Sequence, residues 1–220
     1  SRLTWTSARA ALRFPEEADL YLAQSRHGAK YLAEKMWDKK EGGFFWEVPV
    51  DGSPARELKE MYGHAFGIYA LAANYQATQD TAALELAQKA FQWMEKYAHD
   101  SLHGGYFESI GPGGKPLTPN SKNVVGAQEG QKSMNTSIHI LEALTELYAV
   151  WPDPLLKKRL QEMLEVCHQR FFRPPGYLIQ FTDRDWKPVE SPDSFGHDVE
   201  AGFLMIEAAD ALGLEDKAPY

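Results

Sequence analysis

The chain has 220 residues, with 31 acidic and 23 basic side chains and a formal net charge of −8. Its length and its 44% apolar and 25% charged residues are typical of a globular protein and exclude a disordered one. The acidic charge argues against a nucleic-acid partner. No apolar stretch approaches the roughly 20 residues of a membrane span, and no signal segment is recognisable. With a single cysteine, Cys167, we expect a cytoplasmic protein.

Apolar residues recur with helical spacing along most of the chain. Pro15, Asp80 and Asp153 stand where helices are expected to begin, as a first-turn proline and two N-caps. The pattern predicts seven helices, at residues 2–14, 15–37, 62–76, 81–98, 133–150, 153–171 and 194–212.

The predicted helices form hairpins separated by Gly-Gly or Pro-Gly breaks and short aromatic extended segments. A turn is predicted at 51–54 and a long loop from Gly111 to Gly130. Repeated helical hairpins form either an open solenoid or a closed toroid. The aromatic content and the long loop favour an all-α (α/α)6 toroid, whose six hairpins need twelve helices. We therefore expect residues 1–220 to be a single (α/α) barrel domain with about the first seven helices, incomplete at its C-terminus.

Three of these helices begin with a polar cluster, at residues 61–66, 132–143 and 194–201. If alternate helices line the inside of the ring, the clusters meet at one mouth of the barrel. Asn135 and His139 share a helix face with Glu142, and His197 shares one with Glu200. A histidine beside a carboxylate suits proton transfer near neutral pH. The alternatives are hydrogen-bonded core histidines or a metal site, and the order of the residues argues against a metal.

Segments 132–143 and 194–200 resemble the two signatures of the N-acylglucosamine 2-epimerase superfamily. The similarity is greatest to its branch of cellobiose 2-epimerases and related aldose 2-epimerases and ketol-isomerases. Segments 37–43, 65–71 and 104–108 are similar to family segments that lie outside these two signatures. His64 stands where many relatives have glutamine.

The resemblance implies an (α/α)6 barrel that isomerises a mono- or disaccharide without a cofactor or metal. In such enzymes one histidine removes the proton alpha to the aldehyde of the opened sugar, giving a cis-enediolate. A second histidine then returns a proton on the other face. An enediolate also needs a cationic or hydrogen-bonding group at its developing oxyanion.

Three residues of this chain match the family's catalytic positions. His197 matches the proton-transferring histidine, Glu200 the carboxylate that orients it, and His139 the histidine that assists ring opening or polarises the oxygen. The substrate-contacting positions match Arg9, Tyr62 and Asn135.

The family's other catalytic histidine lies near the C-terminus of its members, beyond the position that matches Tyr220. We therefore expect the isolated 220-residue chain to be weakly active or inactive, and unstable or oligomeric, for example as a homodimer. Two other functions remain open. One is a glycoside hydrolase or lyase on the same barrel, with Glu108 and Glu200 as its carboxylates. The other is a non-catalytic α-solenoid binding module.

Overall fold

The computed structural model describes residues 1–50, 53, 58–116, 125–128 and 130–220. The predicted turn at 51–54 lies outside the described residues except for Ser53, as does much of the predicted loop from Gly111 to Gly130. Within the described ranges, no helix is long and apolar enough to cross a membrane.

Seven α-helices occupy the predicted positions. The second predicted helix is composite, because it opens with a 3-10 turn (Pro15–Glu17) and closes with a π-turn (Leu32–Met36). A second π-turn (Cys167–Phe171) extends the sixth helix. The helices are α1 (Arg2–Arg13), α2 (Ala18–Tyr31), α3 (Met61–Thr78), α4 (Thr81–Tyr97), α5 (Met134–Val150), α6 (Pro154–Val166) and α7 (Phe195–Ala211).

The helices form two layers. Helices α1, α3, α5 and α7 pack side by side in that order. Helix α2 packs on α1 and α3, α4 on α3, and α6 on α5, with a smaller contact to α7. A buried apolar core that includes Ile68, Leu71, Leu144 and Leu160 lies between the layers. The odd-numbered helices thus form one continuous layer, as the prediction that alternate helices line the inside of an (α/α) barrel requires.

Side-chain caps fix the starts of three helices. Asp80 accepts a hydrogen bond from the Ala82 N–H, as expected for the N-cap of α4. Asp153 accepts from two backbone N–H groups at the start of α6, and its proline neighbour occupies the first helical position. Ser133, at the N-cap of α5, accepts from the third backbone N–H of that helix.

Short strands connect the helices and hold the entrances of α3 and α5. Strand β1 precedes α3 directly and pairs antiparallel with β2, and β4 precedes α5 directly and pairs antiparallel with β7. Two further pairings extend these sheets, and a third sheet joins β5 to β6. The strands are β1 (Lys59–Glu60), β2 (Ser109–Gly111), β3 (Lys115–Pro116), β4 (Lys132–Ser133), β5 (Phe172–Arg173), β6 (Tyr177–Leu178), β7 (Phe181–Thr182) and β8 (Pro188–Val189).

The first two Gly-Gly breaks, at Gly42-Gly43 and Gly104-Gly105, have the same construction. Asp38 and Asp100 each accept backbone N–H bonds within their turn. The buried ammonium of Lys59 lies 2.8 Å from Asp38, and that of Lys132 lies 3.1 Å from Asp100. Each lysine stands in the strand that leads into the next inner helix, so each pair ties a break to a helix entrance. Gly43 has a φ of 78° and packs so closely on His64 that a Cβ would lie 2.9 Å from its Nε2.

Candidate active site

The inner helices run parallel, and their N-terminal turns meet at one end of the barrel. Tyr62 in the first turn of α3 packs edge-on against His139 of α5, with ring centroids 5.2 Å apart and planes at 90°. Phe66, one turn further along α3, lies 4.7 Å from the same imidazole. His139 is therefore only 3% exposed. The structure brings together the first two predicted polar clusters.

A carboxylate engages the imidazole of His139. Its Nδ1 lies 2.9 Å from the Oε2 of Glu142, the residue predicted to share its helix face. Glu142 also accepts a hydrogen bond from Tyr69, and burial together with this carboxylate raises the pKa of the Tyr69 hydroxyl. A carboxylate on Nδ1 fixes the orientation of the ring and leaves Nε2 for another partner.

Arg2, rather than Arg9, lies beside Tyr62. The Nη2 of Arg2 donates to the Tyr62 hydroxyl at 3.2 Å, and its guanidinium lies 4.2 Å from the Phe66 ring centroid. Arg9 lies two helical turns further along α1, where it donates to Glu146 and to Gln76 at 2.6 Å. The sequence analysis did not predict the contact of Arg2 with Tyr62. The position of Arg2 in the first turn of α1, level with Tyr62 in the first turn of α3, could have indicated it.

The far end of the inner layer is acidic. Arg9 lines a cavity of about 210 Å³ there. The acidic residues that line this cavity are Glu142, Glu146, Glu207 and Asp210. Burial and the neighbouring carboxylates raise the pKa of Glu207.

His197, in the first turn of α7, is held by a hydroxyl. Its Nδ1 lies 2.7 Å from the Ser194 Oγ. Glu200 shares the predicted helix face, but in the part of the chain that is described it makes neither a hydrogen bond nor an ion pair. Asp198 accepts from the Leu178 N–H at 2.9 Å, which ties the first turn of α7 to strand β6.

Asn135 occupies the first turn of α5, one turn before His139. Its Oδ1 is buried and has no hydrogen-bond partner among the described residues. An unpaired buried acceptor is unfavourable unless a ligand or water supplies a donor.

The carboxylate of Glu108 accepts hydrogen bonds from residues at the start of helix α5. It is 5% exposed and accepts hydrogen bonds from the Ser133 N–H at 2.6 Å, the Ser133 hydroxyl at 3.0 Å and the Thr136 hydroxyl at 2.6 Å. Burial, with a further contribution from the charge of Glu60, raises the pKa of Glu108 to about 7. Because its oxygens face α5, this geometry does not favour Glu108 as a carboxylate flanking a scissile glycosidic bond.

The aromatic residues of the breaks divide into two groups. Tyr106 and Trp186 are buried, and Trp186 donates its indole N–H to the His103 carbonyl at 2.7 Å, so both pack as structural rings. Trp46 instead lies 6.0 Å from Tyr62, on a cavity of about 1030 Å³ that also contacts Arg2. That cavity does not reach His139 or His197.

No three His, Cys, Asp or Glu side chains are arranged to hold a metal ion within the described ranges.

The comparisons with known proteins agree with this architecture. The family model described as N-acylglucosamine 2-epimerase matches residues 1–218. A cellobiose 2-epimerase of Bacteroides fragilis is 32% identical over 214 residues, which cover 97% of this chain and 54% of that protein. The chain spans about half the length of the curated relatives it matches.

Two solved structures of cellobiose 2-epimerases are similar throughout this chain. The enzyme from Spirochaeta thermophila has a TM-score of 0.87 at 34% identity and covers 96% of this chain and 52% of its own. The enzyme from Bacillus thermoamylovorans has a TM-score of 0.88 at 31% identity and covers 99% of this chain and 56% of its own.

Proposed function

Because the chain belongs to the N-acylglucosamine 2-epimerase family, we propose that it forms part of a sugar 2-epimerase or aldose–ketose isomerase. The reaction is a cofactor-free proton transfer through a cis-enediolate, and the reducing-end glucose of cellobiose is the first substrate to test. The observation that carries this proposal is the contact of Tyr62 with the carboxylate-held imidazole of His139 at the N-terminal mouth of the inner helices.

The proposed roles follow the chemistry of the opened sugar. His197 takes the proton from C2, the electron pair of that C–H bond forms the C1–C2 double bond, and the aldehyde oxygen becomes the enediolate oxyanion. His139 hydrogen-bonds that oxygen or assists ring opening. Glu200 matches the family's orienting carboxylate, but among the described residues the His197 Nδ1 lies 2.7 Å from the Ser194 Oγ and not on Glu200. A second acid/base group on the opposite side of the sugar, the role of the family's other catalytic histidine, returns a proton to the other face of C2 and gives the epimer. Return of a proton to C1, with loss of the O2 proton, gives the ketose.

Substrate contacts come from the same mouth. Asn135 supplies the unpaired Oδ1, which a sugar hydroxyl would satisfy. Tyr62 contacts a substrate oxygen, and Arg2 stands beside it as a cation that stabilises the enediolate. The predicted contact of Arg9 requires a sugar that reaches past Tyr69, since Arg9 is paired with Glu146.

Isotope exchange tests the proposal. Cellobiose, glucose and mannose are incubated with the purified protein in D₂O, and the C2 proton is followed by NMR. We expect slow incorporation of deuterium at C2, because exchange needs only the proton acceptor and not a second histidine, and we expect His197→Asn to abolish it while leaving the circular dichroism spectrum unchanged.

His103→Asn is the matched control, because His103 lies on the loop after α4 and contacts Asp185. Hydrolysis without deuterium would indicate a glycoside hydrolase, and an unchanged sugar that still binds would indicate a binding module. Exchange that persists in His197→Asn would contradict the role given to His197.

A further inference from the structure

Ser194 occupies a capping position but does not cap its helix. As the N-cap residue of α7 it makes no side-chain bond to a backbone N–H of the first turn. An N-cap serine ordinarily accepts such a bond, and Ser133 does so at the equivalent position of α5. The Ser194 hydroxyl is instead directed to the His197 Nδ1 at 2.7 Å.

The start of α7 is held by another contact. The Asp198 carboxylate accepts from the Leu178 N–H of β6 at 2.9 Å, and the Asp198 N–H donates to the Ser194 carbonyl at 3.1 Å. The side chain of Ser194 is therefore not needed to anchor the helix, and its contact with His197 calls for another explanation.

The hydrogen bond at Nδ1 sets which neutral form of the imidazole is present: an Nδ1 that donates leaves Nε2 unprotonated. A proton acceptor must present an unprotonated nitrogen to the substrate, and the hydrogen bond at the other nitrogen decides which one that is. A serine hydroxyl can donate to Nδ1 or accept from it; when Nδ1 donates to the Ser194 oxygen, Nε2 keeps its lone pair. The hydroxyl can accept that bond in both the neutral and the protonated state of the ring, so the contact persists through proton uptake and release.

We propose that Ser194 is a positioning residue that holds His197 in the Nδ1–H form with Nε2 free to exchange protons. The role in turnover rests on the proposed function above. The two candidate histidines then differ in their Nδ1 partners: His139 has the carboxylate of Glu142, and His197 has a neutral hydroxyl.

The test uses NMR of ¹⁵N-histidine-labelled protein, with the His197 signals assigned from His197→Asn. Long-range ¹H–¹⁵N spectra distinguish the two tautomers without reference to activity. We expect the Nδ1–H form in the wild type and in Ser194→Thr, which keeps the hydroxyl, and a mixture of tautomers in Ser194→Ala.

Kinetics and stability separate positioning from folding. Ser194→Ala should lower kcat for exchange about 10-fold with KM changed less than about threefold, and Ser194→Thr should restore most of the rate. The melting temperature of Ser194→Ala should stay within about 1 °C of wild type, whereas Ser133→Ala, which loses both a cap and the hydrogen bond to Glu108, should fall by at least about 3 °C.

Unchanged His197 tautomer signals in Ser194→Ala would overturn the proposal. So would an unchanged kcat, or a rate loss that Ser194→Thr does not restore. If the wild type shows no exchange with any sugar, the proposed function fails, and the tautomer spectra still decide the Ser194–His197 contact.

Discussion

His64 shows how burial can remove a histidine from proton chemistry. Its ring stacks on Trp93 at 4.8 Å. Its Nε2 accepts from the Phe44 N–H at 2.9 Å and its Nδ1 donates to the Glu60 carbonyl at 3.1 Å. Both nitrogens are thus used by the backbone in the neutral state, and burial lowers the pKa of His64 to about 3.

This histidine should make the fold sensitive to mild acid. Its pKa is about 6.5 when unfolded and about 3 when folded, so the unfolded chain binds a proton that the native one excludes. The free energy of unfolding should therefore fall as the pH drops through 6.5 and continue to fall until about pH 3, by about 2 kcal/mol between pH 8 and pH 5.

His64→Gln is the test, because a glutamine can accept from the Phe44 N–H and donate to the Glu60 carbonyl. Urea titrations followed by tryptophan fluorescence should show a smaller loss of stability between pH 8 and pH 5 in the variant. An equal pH dependence in both proteins would assign the acid sensitivity to other groups.

At this scale, helical spacing predicted some contacts and could not predict others. It placed His139 and Glu142 on one face because they are three positions apart. The same rule linked His197 to Glu200, three residues later, but the ring turns to Ser194, three residues earlier. Spacing is symmetric about His197, so only the packing around α7 selects the partner. The Arg2 contact depends on the alignment of α1 with α3, which no local pattern contains.

Among the elements, Glu108 joins the entrances of α3 and α5. Its carbonyl accepts from the Met61 N–H at 2.8 Å, and its side chain accepts from Ser133 and Thr136. One residue of the connecting segment therefore sets the relative position of the helices that carry Tyr62 and His139.

Glu108→Ala should lower the free energy of unfolding by about 3 kcal/mol, because several buried donors lose their acceptor. Denaturant titration measures this change. Glu85→Ala is the control: its exposed pair with Lys89 at 3.8 Å should contribute less than about 0.5 kcal/mol. Similar losses in the two variants would contradict the linking role of Glu108.

The helices were predictable where apolar spacing and caps coincided, as at Asp80 and Asp153. The strands were not, since each has two or three residues and depends on its partner. The buried lysines were also missed, because Lys59 lies 21 residues from Asp38 and Lys132 lies 32 residues from Asp100. The repeated construction of the two breaks appears only in three dimensions.

On the scale of the molecule, one face of α7 is apolar and uncovered. Its side chains recur at intervals of four, four and three residues, which forms a stripe on the helix. The most exposed are Phe195 at 82% and Val199 at 77%. The stripe consists of Phe195, Val199, Phe203 and Ile206.

We expect the isolated 220-residue chain to self-associate through this stripe. Replacing Val199 and Phe203 by glutamine should reduce its apparent mass in light scattering and its binding of a hydrophobic dye. Leu102→Gln, at an exposed site outside the stripe, should change neither. A monomeric wild type that does not bind the dye would contradict this expectation.

The parallel arrangement of the inner helices also creates an electric field along the barrel axis. Each helix contributes about half a positive elementary charge at its N-terminus. The N-termini of α1, α3 and α5 lie near Tyr62 and His139, while Glu146, Glu207 and Asp210 lie toward the opposite end. In the proposed reaction, a neutral sugar would feel little of this gradient, whereas the enediolate anion would be drawn to the mouth. The backbone of these helices would then favour the proposed intermediate over the substrate.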